Sequence, residues 1–412
     1  MPSLRISLLG VLFAGAMAAQ EGLVAMRKAG PDPYTGGDAA VMKAAGYVSF
    51  GPFPLGHDHS TEAVESLLGD EPLIWIETAH FRLGCALSRV VLKGEEEWLP
   101  DWVRSVREEL KRLKKRIPKV KVDVKELDPW LRAHLMAQRL EDLYAEVQGV
   151  LGVTDASFPA VPGDDPTDPG RFRGLGPYLG MPEKFRVLLL RKAASQARYT
   201  SAYQGIEMTD PVRYHDIKLG AVFWSGSEET AGGLFGYDLA LHANLTFNVA
   251  HNLYSGYRSW SFDLPAWLPT GLGHWHARRV SPRFPAYDRK DDKDKDPRSP
   301  FWAWDTRVRG LMKNGVFEPL STLFERGNAG EFGLEQHMQA WAFVDFLMQR
   351  YKDRLPRFLS ELKVPFHYRR KLPTAMELSA RQKDVMQAIL DKDAEALQIE
   401  WRDFLLARAK RR

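Results

Sequence analysis

The chain has 412 residues, of which 44% are hydrophobic, so it can form one large two-lobed domain or two domains around a buried core. Its 57 basic and 53 acidic residues nearly balance, and the net charge of +4 gives no argument for a nucleic-acid partner. A single cysteine excludes an intramolecular disulfide framework. Cys85 lies in the apolar run LGCAL, which predicts a small buried side chain.

The N-terminus has the pattern of a secretory signal peptide over residues 1–18. Arg5 precedes an apolar run at 6–13, and Ala-Met-Ala at 16–18 has the small-x-small form of a cleavage site. An uncleaved anchor or a buried first helix is the alternative. No later apolar stretch approaches the roughly 20 residues of a spanning helix. We therefore expect a mature chain without a transmembrane span, secreted or periplasmic.

Residues 19–70 are rich in glycine and proline and have little periodicity, which predicts an extended segment that wraps over the surface. His57 and His59 lie in this segment, in GHDHS. A polar turn is the favoured interpretation of these two histidines, and a metal site is the alternative, because further ligands at the usual spacing are absent.

The region 71–255 predicts a mixed α/β lobe. The runs LIWIETAHFRL and LSRVVL, which begin at Leu73, predict strands. Pro100 opens an amphipathic helix, whose apolar residues recur at helical spacing. The basic cluster at 111–121 is interpreted as a solvated helix face, with a polyanion site as the alternative, since no aromatic platform accompanies it.

A long core helix is predicted to follow Asp128-Pro129 and to extend to Leu151. After a Pro/Gly/Asp-rich loop, FRVLLL predicts a buried strand and AVFWSGS an edge strand. The local order is therefore helix, strand, edge strand, helix, and the last of these helices begins near residue 238.

Two helices are predicted between residues 238 and 279. Asp238 is the expected N-cap of the first, and Ser255-Gly256 its stop. Pro269 is the expected start of the second. Residues 256–412 predict a helical lobe, interrupted by an alternately charged solvated loop at 289–296. The expected class is α+β, a mixed-sheet lobe followed by a helical lobe.

Zinc peptidases place two histidines at i and i+4 on one helix, with a glutamate beside the first as general base. The corresponding residues here run from Phe247 to His251, with Asn248 at the position of the base. Only the second histidine position is filled.

The flanking sequence resembles the gluzincin metallopeptidases, most closely the bacterial peptidase-MA-like domains. Their Pro-Trp-Leu-x-Glu-Gly-Leu pattern corresponds to LPAWLPTGLGHW, and their later tyrosine-x-Gln-x-Trp helix corresponds to 337–341, which begins with His337. The resemblance implies the gluzincin (thermolysin/aminopeptidase-like) catalytic-domain fold. It also places the family's glutamate ligand at Thr270, after eighteen intervening residues that follow His251 and end at Pro269.

The residues at these positions argue against the family's chemistry. Phe247 cannot coordinate zinc, and Asn248 cannot take a proton from a bound water at neutral pH. His274 shares a helix face with Thr270, so it could approach His251, and His337 could line the same cleft. A metal held by His251 and His274 is the alternative to the favoured expectation of no cofactor.

Three functions are compatible with this sequence. The favoured one is a secreted, catalytically inactive metallopeptidase-like protein whose vestigial cleft binds a peptide or protein. The alternatives are an active metal-dependent hydrolase with a non-standard ligand set and a structural, envelope-associated protein.

Overall fold

The structure is a computed structural model. It describes residues 30–408 except 95–98, 166–167, 231–232, 261–263, 285–301, 328–329, 331 and 364–373. The predicted signal peptide and the predicted charged loop at 289–296 lie outside the described residues. Among the described helices, none combines the length and apolar character needed to cross a membrane.

The strands form a five-stranded mixed sheet and two short ribbons. They are β1 Ile74–Glu77, β2 Phe81–Cys85, β3 Val90–Val91, β4 Glu126–Leu127, β5 Gly163–Asp165, β6 Asp168–Gly174, β7 Phe185–Leu190, β8 Val212–Asp216 and β9 Ala221–Ser227. The large sheet has the order β1-β2-β7-β9-β8. Its three central strands are parallel, and an antiparallel strand closes each edge.

The helices dominate the C-terminal half. They are α1 Ala39–Ala45, α2 Thr61–Leu67, α3 Leu99–Lys114, α4 Pro129–Leu151, α5 Ala193–Gln204, α6 Asp238–Gly256, α7 Trp267–Val280, α8 Trp304–Lys313, α9 Leu320–Glu325, α10 Leu334–Arg350, α11 Leu355–Leu362, α12 Ala375–Val385 and α13 Ala394–Arg408. The chain is therefore a mixed α+β protein, as predicted.

The long predicted helix is α4, and local signals set both of its ends. The Asp128 side chain accepts a hydrogen bond from the backbone N–H of Leu131, and Pro129 occupies the first helical position. Gly152 ends the helix in the left-handed conformation at φ 65°. Because α4 packs against both the sheet and α6, it connects the sheet to the helical layer.

The predicted edge strand is wrong in its position. AVFWSGS is β9, an interior strand whose seven residues are all buried between β7 and β8. The edge strand is β8, which the sequence did not predict because VRYHD is short and polar. Its Arg213 is exposed and its Val212 is buried, as expected of a strand at the sheet's margin.

The sequence analysis predicted Asp238 as the N-cap of α6, and this prediction is wrong. Tyr237 holds that position, and Asp238 is the first helical residue, only 1% exposed. Its carboxylate lies 2.9 Å from Arg139 Nη1 and 3.5 Å from Arg132 Nη2, both on α4. These cations lower the pKa of Asp238 although burial opposes them. The acid thus fixes the start of α6 against α4 through buried ion pairs.

The described part of the N-terminal segment contains the two short helices α1 and α2, neither predicted, and packs part of its length into the core. Phe53, Leu55 and Val64 are buried against the sheet. His57 Nδ1 donates to Asp216 Oδ2 over 2.7 Å, and this hydrogen bond ties the GHDHS turn to the end of β8. Cys85 is fully buried, as predicted, and burial raises the pKa of its thiol to about 12.

Candidate functional site

The predicted site lies where α6, α7 and α10 pack most closely. The second helix begins at Trp267, two residues before the predicted Pro269. Two interior glycines of α7 permit the close approach. A Cβ at Gly271 would lie 2.5 Å from the Ala340 carbonyl oxygen of α10, and one at Gly273 would lie 2.9 Å from the Phe247 carbonyl oxygen of α6. These poor helix formers therefore serve helix packing.

Phe247 occupies the centre of the predicted site, and the sequence resemblance assigns its position to a first histidine ligand. Its side chain is buried, with 3% exposure. The ring centroid lies 4.4 Å from that of His274 and 6.5 Å from those of His251 and His337. Three imidazoles thus surround a phenyl ring, so an apolar group fills the space between the imidazoles.

Asn248, at the position of the general base, has its amide saturated by neighbours. Arg213 Nη1 donates to Asn248 Oδ1 over 2.7 Å. Asn248 Nδ2 donates to the carbonyl and side-chain oxygens of Asn244, each over 3.1 Å. With 1% exposure, this amide connects edge strand β8 to α6 and has no capacity to accept a proton.

His251, the retained histidine, is half-buried and lies 3.4 Å from Ser255 Oγ one helical turn later. Burial and the nearby Arg213 cation lower its pKa well below 6.5. The imidazole is therefore neutral at pH 7, the form in which a histidine binds a metal or accepts a hydrogen bond.

His274 pairs with His337 of α10. His274 Nε2 lies 2.9 Å from His337 Nδ1, so one ring donates and the other accepts. Both rings are buried, and burial lowers the pKa of His274 well below 6.5. His274 Nε2 is therefore engaged by α10, while a ligand set of His251 and His274 stays a prediction.

Thr270 lies on α7, and the sequence resemblance assigns its position to a glutamate ligand. It is 1% exposed, and its hydroxyl oxygen has no hydrogen-bond partner among the described residues. A buried hydroxyl without a partner costs stability. Thr270 supplies no carboxylate, and within the described ranges no three His, Cys, Asp or Glu side chains are arranged to hold a metal ion.

The remaining histidines of this helix pair lie elsewhere. His276 Nε2 accepts from the Tyr254 hydroxyl over 2.9 Å, and its Nδ1 donates to Glu146 over 3.1 Å. His242 and His276 line a cavity of about 590 Å³ between α3, α4, α6 and α7. Neither ring belongs to the cluster around Phe247.

No protein-family model matches the chain, and a search of curated proteins finds no match. The interpretation of the site therefore depends on its own residues.

Arg213 is the site residue that sequence reasoning missed. The alternation in VRYHD, with Arg213 and His215 on one face, was the available signal for a strand. That alternation does not show that the strand lies beside α6. Its position depends on the strand order of the sheet, in which β9 lies between β7 and β8.

Proposed function

We propose that the chain is a catalytically inactive relative of the gluzincin metallopeptidases, acting outside the cytoplasm by binding an extended peptide or protein segment. One observation carries the proposal: Phe247 and Asn248 form a closed, fully packed arrangement at the two positions where the family needs a ligand and a base. The helix pair survives, and its hydrolytic groups do not.

The chemistry of the cluster supports binding without hydrolysis. A general base must accept a proton from the attacking water, and losing it typically costs about 10²–10⁴ in rate. Asn248 has no basic atom, and its amide is held by Arg213 and Asn244. His274 and His337 satisfy each other. Asn248 therefore cannot activate a water as the family's glutamate does.

The sheet edge beside the cluster supports an extended ligand. β8 pairs with β9 on one side, and no other described strand pairs with it. An edge strand presents backbone N–H and C=O groups to which an extended segment can add. Arg213 extends from β8 to Asn248, so a segment bound at this edge would lie next to the former catalytic position.

The proposal is tested first by metal content and hydrolysis. Purified protein should contain no stoichiometric zinc by mass spectrometry and should not cleave a mixed peptide library with zinc, manganese or cobalt added. His251→Ala is compared with His242→Ala, because both histidines are half-buried on the same helix. Stoichiometric zinc lost only in His251→Ala, or chelator-sensitive cleavage, would overturn the assignment.

Peptide binding is tested by selection from a random displayed library on the immobilised chain. We expect enriched peptides whose capture falls in Arg213→Ala and is kept in Lys352→Ala, an exposed residue in the turn between α10 and α11. Enriched peptides that bind both variants equally would place the ligand elsewhere. A library without enrichment would argue for the purely structural alternative.

A further inference from the structure

The end of α3 and the turn after it carry a concentration of charge that the rest of the chain lacks. Residues 111–125 include eight of the 57 basic residues and one of the 53 acidic ones. The remainder of the chain therefore holds 49 basic and 52 acidic residues and is slightly acidic. Although the net charge of the whole chain is small, positive charge is concentrated at residues 111–125. Such an uneven distribution of charge is typical of a protein with an anionic partner.

Buried anchors fix this segment in place. Leu113, Ile117 and Val120 are at most 2% exposed and belong to the main core. Backbone hydrogen bonds from Ile117 N–H to Leu113 and from Val120 N–H to Ile117 continue the chain in tight turns past the helix end. The residues between the anchors are consequently held outward on a fixed scaffold.

Four lysines project from this scaffold, and we name them the lysine corner. They are exposed, and their ammonium groups have no carboxylate or hydrogen-bond partner in the described part of the chain: Lys114, Lys115, Lys119 and Lys121. Two of their basic neighbours differ, since Lys111 pairs with Glu108 over 2.6 Å and Arg112 with Asp142 over 2.7 Å. Those two ion pairs neutralise the positive charge before the corner, and the four lysine charges have no such partner among the described residues.

We propose that the lysine corner docks the protein on the surface of an anionic lipid bilayer. Lysine ammonium groups are mobile point charges, which suit many equivalent phosphates on a flat surface, whereas bidentate or stacked recognition favours arginine. No aromatic side chain lies among residues 111–125, so the platform on which nucleic-acid bases stack is missing from this segment. Binding through unpaired lysines is electrostatic, reversible and weakened by salt.

The test is sedimentation of the purified chain with vesicles of phosphatidylcholine mixed with phosphatidylglycerol, and with vesicles of phosphatidylcholine alone. Each lysine near an anionic surface strengthens binding roughly fivefold, so Lys119→Gln/Lys121→Gln should bind roughly 25-fold more weakly. Lys114→Gln/Lys115→Gln should lose a similar factor. The matched control is Lys313→Gln/Lys352→Gln, which removes the same charge from exposed lysines elsewhere.

We expect the wild type and the control to sediment with the mixed vesicles at low salt and to dissociate from them as the salt concentration is raised. Neither protein should sediment with the vesicles of phosphatidylcholine alone. Equal losses in all three variants would reveal a net-charge effect and overturn the assignment to the corner. Absence of binding to the mixed vesicles would overturn the lipid partner. Tighter, corner-dependent binding to a duplex DNA fragment than to vesicles would also overturn it, in favour of a polymer of phosphates.

Discussion

Replacing Phe247 with alanine tests whether the space between the three imidazoles is filled or open. The ring is 3% exposed and lies 4.4 Å, between centroids, from His274. Loss of a buried phenyl group removes about 2–3 kcal/mol of transfer free energy. A further cost arises if the neighbours do not collapse into the space, and the total for such substitutions is about 3–5 kcal/mol.

The surroundings of the ring place the expected loss above the lower end of that range. Gly273 faces the ring across the helix pair, where a Cβ would lie 2.9 Å from Phe247 Cδ2, and glycine has no side chain to move inward. His274 is held by its bond to His337. We therefore expect Phe247→Ala to lower the free energy of unfolding by about 4 kcal/mol, and Phe247→Leu by about 1 kcal/mol because leucine keeps most of the volume.

The assay is equilibrium unfolding in guanidinium chloride, followed by tryptophan fluorescence and by far-UV circular dichroism. Coincident transitions justify the extraction of a free energy. A loss below about 1 kcal/mol for Phe247→Ala would mean that the ring borders an open cleft. That result would refute the argument that the site is closed by packing.

Three further outcomes are expected. The double variant Phe247→His/Thr270→Glu should bind stoichiometric zinc, as measured by mass spectrometry. It should not cleave peptides, because the general base is not restored. A folded double variant that binds no zinc would contradict the proposed ancestry. Burial opposes the ionisation of Asp32, but chiefly the hydrogen bond to His134 lowers the pKa of its carboxyl from 3.8 to about 2. This lowered pKa contributes about 2 kcal/mol to the free energy of unfolding. The contribution is fully present above pH 3.8 and is lost as pH falls through 2. Urea titrations should therefore show the stability gap between the wild type and Asp32→Asn narrowing over that window, and a constant gap would exclude the linkage. Gly273→Ala should destabilise the folded protein by about 1–3 kcal/mol, measured by thermal unfolding. The control Gly149→Ala lies on an exposed face of α4 with open space around it and should be neutral or stabilising. Equal effects of the two substitutions would contradict the close approach of α6 and α7.

Much of the helical architecture could be predicted because its signals are local. Asp128-Pro129 sets the start of α4, and Gly152 its end, through hydrogen bonds and backbone angles within a few residues. The predicted end of α6 at Gly256 is also confirmed, with Tyr257 as the C-cap. Asp238 shows the limit of such signals. Aspartate is a residue type that often caps helices, but two arginines of α4 form ion pairs with the Asp238 carboxylate instead. The positions of these arginines depend on how α4 packs against α6.

The sequence by itself determined which chemical groups stand at each position of the helix pair: a phenyl ring, an amide, one imidazole and a hydroxyl. That follows from counting along regular helices, whose geometry fixes which residues share a face. Only the tertiary structure decided that Phe247 is enclosed by three imidazoles, that His274 pairs with His337, and that Arg213 from the sheet edge holds Asn248. These contacts join residues distant in sequence, and the packing of β8, α6, α7 and α10 creates them.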